Sequence, residues 1–307
     1  MNIRIRHLTR YLYPESVQFN PHRILLRPRE NPQLQVLEFN LSVSPPARVR
    51  WMTDPLENHI AVVHFTEPSN EIRIEAGILV SLHTENPFDF ILEPYAENYP
   101  FAYNPNEGRA LKPYLEVGSP ANCAQVLPWV WRELPRMPES TLEVLTRVNQ
   151  CIHQRFQYQR RDEEGVQSPD ETIARGSGSC RDFARLFIEI CRQLGFAARF
   201  VSGYLYDPPT GSSHFNNVAE GAMHAWVEVH LPGAGWKGFD PTNGMLATNF
   251  FIPCAVGIEP KLTSPIQGSY YHNQLRIPST LEVSLTVERE DATPPPPPSA
   301  KSLKQET

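Results

Sequence analysis

The chain has 307 residues and a net charge of −6, from 28 Lys plus Arg against 34 Asp plus Glu. Hydrophobic residues make up 40% and charged ones 20%, which fits a folded globular chain of one large or two ordinary domains. The mild acidity argues against a nucleic-acid surface as the main business.

No apolar run is long enough to cross a bilayer, so no membrane partner is expected, and on the charge no nucleic-acid partner either. The five cysteines, Cys123, Cys151, Cys180, Cys191 and Cys254, are scattered and form no CxxC. That pattern is neither a disulfide framework nor a zinc knuckle. The opening "MNIRIRHLTRYLYP" alternates Ile and Arg and breaks at Pro14, a strand pattern rather than a signal peptide. With reduced thiols, it predicts a cytoplasmic location.

Residues 1–105 read as strands. "NIRIRH" and "VLEFNLSVSP" alternate, "IAVVHF" and "EIRIEAGILVSLH" are β-branched and apolar, and Pro/Asn clusters separate them. A β-sandwich-like N-terminal domain is expected. Around 92–120 the chain is rich in Pro, Asn and Tyr without lasting periodicity, and it reads as a connection. A core at 106–290 follows, of α+β class.

Its first helix spans "ESTLEVLTRVNQCIHQRF", with Leu142, Leu145, Val148, Cys151, Ile152 and Phe156 on one face. Ser140 and Glu143 make a capping box there. A second runs from Ser168 (N-cap) and Pro169 to Gly176, with Glu171 in its first turn. A third opens at Cys180 and ends at Gly195. Strands return in "AARFVSGYLY", "HAWVEVHL" and "GWKGFDP". The last, "STLEVSLTVE", is expected to return to the N-terminal sheet. The tail 291–307, "DATPPPPPSAKSLKQET", reads as extended or disordered.

The chemistry concentrates at three places. Cys180 opens a helix, where unpaired N–H groups and the macrodipole favour a thiolate. Gly176, Ser177, Gly178 and Ser179 leave room for a substrate and let N–H groups face an oxyanion. The competing reading is a buried space-filling cysteine, which suits Cys191 and Cys151 better. In "HAWVEVH", His224, Trp226, Glu228 and His230 share one strand face and Ala225, Val227 and Val229 the other. The small apolar face belongs to the core, so the His/Trp/Glu face is expected to look into a cleft or solvent. His224 suits a base. The turn "PGAG" makes a hairpin that returns Asp240 beside His224 to orient its imidazole. Tyr158, Tyr204 and Trp226 are expected as cleft walls, against the commoner role of aromatics as core. A metal site of Cys180, His224 and Asp240 lacks ligand spacing, and no acidic loop suggests calcium. Neither metal nor cofactor is expected.

The words "GSGSCRDFARL", "ARFVSGYL" and "HAWVEVHLPGAGWKGFDPTNG", in this order, resemble the bacterial transglutaminase-like proteins, many of them called cysteine proteases. "HLTRYLYPESVQFNPHRILLRPRE" resembles the β-rich region that precedes the core in that family. The resemblance implies a papain-like core with a Cys–His–Asp triad: Cys180 as nucleophile, His224 as base, Asp240 as orienting acid. The N–H of Cys180 would help to form the oxyanion hole. Downstream the pattern departs. Where a His-Ile pair and a Gly-Arg-Asp-Tyr run are usual, the chain has "NFFIPCAVGIEP", keeping Gly257 but placing Ile258, Glu259 and Pro260 after it. Met223 stands where a small residue is usual. The implied activity is thiol-dependent acyl transfer on a peptide or protein substrate, with hydrolysis first and amine transfer as the alternative. A catalytically idle binding or scaffolding protein is the reading from a different class.

Overall fold

The computed structural model describes residues 1–83, 86–161, 163–207, 223–272 and 277–290. The expected polyproline tail lies outside the described residues. The alternating N-terminal segments become β1 (Asn2–Phe19), β2 (His22–Ile24), β3 (Leu34–Ser44), β4 (Ala47–Thr53), β5 (His59–Phe65) and β6 (Ser69–Leu82). Helices α1 (Pro105–Leu115), α2 (Pro120–Cys123), α3 (Val126–Glu133) and α4 (Thr141–Arg155) follow. Then come β7 (Gln157–Tyr158), α5 (Pro169–Arg175), β8 (Ser177–Gly178) and α6 (Cys180–Gln193). The remainder is β9 (Ala198–Leu205), β10 (His224–Leu231), β11 (Gly235–Asp240), β12 (Met245–Leu246), β13 (Phe251–Gly257), β14 (Ile266–Gln267), β15 (Tyr270–Tyr271) and β16 (Thr280–Glu290).

Two antiparallel sheets form the N-terminal sandwich. One has the order β15–β1–β6–β3 with β16 also on β1, and the other the order β14–β2–β5–β4. Their inner faces share one core, with Ile3, Ile5, Ile72 and Ile74 from the first and Ala61, Val63 and Phe65 from the second. The period-two pattern of β1 explains this: Ile3 and Ile5 are fully buried while Arg4 and Arg6 face outward. Strand β16 pairs with β1 from Asn2↔Glu290 to Leu12↔Thr280, so the C-terminal strand sits in the N-terminal sheet. Arg4 and Arg10 fasten it, each binding a glutamate of β16 and a second, Glu38 of β3 for Arg4 and Glu71 of β6 for Arg10.

In the second region, α6 packs on a sheet of order β12–β11–β10–β9–β13. Helix α4 starts at Ser140, whose hydroxyl accepts from the Glu143 N–H. Its buried face is centred on Val144, Leu145, Val148 and Ile152, so Leu142 and Cys151 are only half-buried. Helix α5 is capped by Ser168, bonded by the Glu171 N–H, and ends at Gly176 with φ +64°. The stretch read as a connection contains a helix: Asn104 caps α1 by accepting from Asn106 N and Glu107 N, with Pro105 at its first position. Its apolar side is narrow, only Leu111 being buried, which is why periodicity did not expose it.

Strand β13 joins the two regions. Ile252 and Cys254 enter the sandwich core, while Phe251 and Val256 pack with Trp226 on the core sheet. The side chain of Asn58, fully buried, accepts from Val256 N and donates to Val256 O, both at 2.8 Å. Pro253 is tolerated because β13 is an edge strand and the register shifts there.

Candidate active site

Cys180, His224 and Asp240 come from α6, β10 and β11, and the fold brings them together. Hairpin pairing of Val227 with Phe239 sets the register of β10 and β11. The end of β11 thereby lies beside the start of β10, and Asp240 Oδ2 accepts from His224 Nε2 at 2.9 Å. That bond leaves Nδ1 as the other ring nitrogen, and Cys180 lies close enough to His224 to help raise its pKa. Burial opposes a charged imidazole at His224, yet the Asp240 carboxylate and the Cys180 contact outweigh it and raise its pKa to about 10. Asp240 is fully buried; burial pushes its pKa up, but His224, the Asn243 side chain and the Thr242 N–H together hold it below the usual carboxylate range.

The loop after Asp240 is itself strapped down. Thr242 N donates to Asp240 Oδ1 at 2.9 Å, Asn243 Nδ2 to Oδ2 at 2.6 Å, and Gly244 N to the Asp240 carbonyl at 2.8 Å. His153 of α4 bonds the Thr242 carbonyl through Nδ1 at 2.7 Å. Gly244, at φ +68°, lies against the His153 ring.

Asp182, two residues after the nucleophile candidate, organises the other side. It is fully buried and accepts from Ser179 N, Ser179 Oγ and Gln167 N, each at 2.8 Å. Arg161 Nη1 reaches both of its oxygens, at 2.8 and 2.9 Å. Burial alone would raise its pKa, but these donors together lower it. The N-cap of α6 and the segment before α5 are therefore tied to one carboxylate.

Gly178 serves this packing rather than leaving room for a substrate. A Cβ on Gly178 would lie 2.9 Å from Asp182 Cβ and 3.3 Å from the Phe183 ring. Gly176 is the left-handed cap of α5, and Ser179 is buried. Parallel pairing of β7 with β8, Tyr158 opposite Gly178, brings the Tyr158 ring toward Cys180. Burial first, then the Cys180 and Asp240 charges, push the Tyr158 hydroxyl up to about 12.

The other expected cleft walls lie elsewhere. Tyr204 is fully buried in the sandwich core, with its hydroxyl 3.1 Å from His7 Nδ1. The His/Trp face of β10 does not open to solvent at its start: His224 and Trp226 are each 2% exposed. Trp226 packs with Val201, Leu205, Phe251 and Val256 under Leu56 of the N-terminal region. Its ring stacks near His224 at 6.2 Å and meets Phe251 at 5.2 Å, so it supports the imidazole from behind. Cys180 retains 8% exposure. Cys191 is buried in the core and its thiol pKa is driven far upward by burial. No metal-binding group of three or more His, Cys, Asp or Glu exists among the described residues. No helix among them is long and apolar enough to cross a membrane.

Comparison with known proteins shows the family. The description "Bacterial transglutaminase-like N-terminal region" matches residues 3–81, and "Transglutaminase-like superfamily" matches residues 131–241. An uncharacterized protein of Mycobacterium tuberculosis, Rv2569c, is 30% identical over 298 residues, covering 92% of this chain and 91% of that protein. The uncharacterized protein ML0607 of Mycobacterium leprae is 24% identical, covering 87% and 92%. A crystal structure described as "a Putative Cysteine Protease from Cytophaga hutchinsonii" superposes with a TM-score of 0.70 at 19% identity, covering 96% of this chain and 93% of that one. It shares the fold across both regions.

Proposed function

We propose that this chain, which belongs to the bacterial transglutaminase-like family, carries out thiol-dependent acyl transfer on peptide or amide bonds through Cys180, His224 and Asp240. The observation that carries the reading is the directed contact series: Cys180 against His224, and His224 Nε2 bonded to a fully buried Asp240.

His224 Nδ1 takes the thiol proton, with the imidazolium held by Asp240. The Cys180 sulfur attacks the carbonyl carbon, and the carbonyl π electrons move to oxygen. As first residue of α6, Cys180 has an N–H with no acceptor one turn back, placed to donate to that oxyanion. Collapse breaks the C–N bond, Nδ1–H protonates the departing amine, and a thioester remains. Water then attacks with His224 as base, the carboxylic acid leaves, and the thiol is restored.

Hydrolysis is the favoured second step because water is always present. Amine attack on the same thioester, giving transamidation, is the alternative. The substrate is a peptide or protein, with Tyr158 beside the sulfur as one wall of its site. The five cysteines are all unpaired thiols, and a reducing, cytoplasmic setting suits such chemistry.

The test has two arms. Iodoacetamide labelling of Cys180 at pH 6, read by mass spectrometry, should slow by about tenfold or more in His224→Ala, as expected when the base sustains the thiolate. A casein digest incubated with monodansylcadaverine then reports new termini for hydrolysis or dansyl incorporation for amine transfer. Both products must vanish in Cys180→Ala. Labelling that ignores His224, with neither product formed, overturns the enzyme reading and leaves a binding role.

A further inference from the structure

Strand β4, "ARVRWMT", is the least buried strand of the sandwich interior's own sheet. Six of its seven residues are exposed. It ends the order β14–β2–β5–β4 and pairs, among the described residues, only with β5. The bonds Thr66 N to Pro46 O and Asp54 N to Asn58 O flank that pairing. In an antiparallel ladder, bonded pairs alternate. The backbones of Arg48, Arg50 and Met52 are therefore engaged with β5, and the N–H and C=O groups of Ala47, Val49, Trp51 and Thr53 point to the open edge.

The two faces of this edge differ in chemistry. On the inner side Val49 and Trp51 meet Phe39 and Leu41 of β3, with the Phe39 and Trp51 rings 5.5 Å apart. They line a hollow of about 630 Å³ together with Arg27 and His59. Trp51 is 48% exposed there. On the outer side Arg48, Arg50 and His64 line a second hollow of about 300 Å³ with Phe65 and Thr66. Register places Arg48 opposite His64, and Arg50 and Arg23 on either side of Val62. None of Arg23, Arg48 or Arg50 makes an ion pair among the described residues. In a chain of net charge −6, this is a cationic face on an unpaired strand.

We propose that the β4 edge binds an extended peptide segment in which acidic and large apolar residues alternate, added as a further strand. Main-chain bonds to residues 47, 49, 51 and 53 would supply affinity, and the two hollows would read alternate side chains. Directly opposite residues share a face. Guest residues facing Val49 and Trp51 enter the aromatic hollow and must be apolar. Those facing Arg48 and Arg50 meet the cationic face and must be acidic. Charge complementarity thus selects this guest over a neutral or basic strand. The site is separate from Cys180, so binding does not depend on the activity proposed above.

The experiment uses the full chain and fluorescein-labelled acetyl-Glu-Leu-Glu-Phe-Glu-Leu-Glu-amide, read by fluorescence anisotropy. Two controls are the Lys-for-Glu peptide and a peptide of the same composition with its glutamates in one block. Saturable binding about tenfold tighter than either control is expected. Arg48→Glu with Arg50→Glu should weaken it by about tenfold or more. Val49→Pro should abolish it, because it removes an outward N–H at an edge position where proline is tolerated. Trp51→Ala, a truncation at an exposed position, serves as the second variant, and near-UV circular dichroism checks each fold. Equal binding of the block peptide would reduce the effect to bulk charge and overturn the proposal. So would indifference to Val49→Pro, absence of binding, or a self-associated chain that Val49→Pro dissociates, which would assign the edge to a second copy.

Discussion

Removing the Asp182 carboxylate is the sharpest single perturbation the structure offers. Its two oxygens receive Arg161, Gln167 N, Ser179 N and Ser179 Oγ in full burial. In Asp182→Ala, Arg161 loses its counter-charge, and breaking one side of such a buried pair costs about 3–5 kcal/mol. The N–H groups of Ser179 and Gln167 are orphaned as well, at about 1–3 kcal/mol each before relaxation. The 161–167 segment will move and water will enter, so a net loss of about 4–6 kcal/mol is expected, much of the 5–15 kcal/mol that holds an ordinary domain together. Asp182→Asn keeps the shape and one acceptor oxygen and should lose about half as much. Urea unfolding followed by near-UV circular dichroism measures both. The same samples labelled with iodoacetamide should show slower reaction at Cys180, because the first turn of α6 is no longer held. A loss under about 1 kcal/mol for Asp182→Ala, the size of an ordinary surface change, would refute the idea that this carboxylate anchors the helix that begins at Cys180.

Other outcomes follow from the same geometry. His7 sits 4% exposed beneath Tyr204, and burial lowers its pKa to about 4. The unfolded chain takes up the proton first, so stability is full above about pH 6.5 and falls as pH drops toward 4, by about 3 kcal/mol; His7→Gln should flatten that limb in urea titrations. The His224–Asp240 pair has the opposite alkaline behaviour. Its stabilisation is full between the unfolded values of about 3.9 and 6.5 and is lost as pH rises through about 10, a decline that should be absent from Asp240→Asn in thermal melts between pH 7 and 10. Gly178→Ala forces a Cβ against Asp182 and Phe183 and should cost about 1–3 kcal/mol and slow Cys180 labelling, whereas an unchanged melting temperature would show that the loop can give way.

Much of the site was legible because its signals are local. A small-residue turn running into Cys180, an alternating strand led by His224 and a hairpin ending in Asp240 each follow from spacing of a few residues. The helix caps at Ser140, Ser168 and Gly176 are local in the same way, and each adopts its cap conformation. What escaped depends on pairings distant in sequence. Tyr204 reads as a cleft aromatic until β13 and β1 bury it against His7, 197 residues away. Trp226 shares an alternating face with Glu228 and His230, but Leu56 and Phe250 cover only its end of the strand. Asp182 carried a readable signal, an acid in the first turn after a serine cap. Its partners Arg161 and Gln167, by contrast, lie in a segment with no periodicity. Helix α1 escaped because one buried leucine gives no stripe, although Asn104–Pro105 is a start signal.

The N-terminal sandwich is part of the site's support rather than an appendage. The imidazole of His224 rests on Trp226 and Phe251, and Phe251 belongs to β13. Two loops hold that strand: Asn58, between β4 and β5, pairs with the Val256 backbone, and Arg29 N, between β2 and β3, bonds the Pro253 carbonyl at 2.7 Å. Arg29 in turn binds Leu56 O and Asn58 Oδ1, and Leu56 caps the Trp226 cluster. A continuous series of packed and hydrogen-bonded groups therefore runs from the β4–β5 loop to His224. A peptide laid along β4 would sit at the far end of that series. The strand that reads the guest and the loop that braces β13 are contiguous in sequence, from Ala47 to Asn58, so the family's N-terminal region has a physical reason to accompany its core.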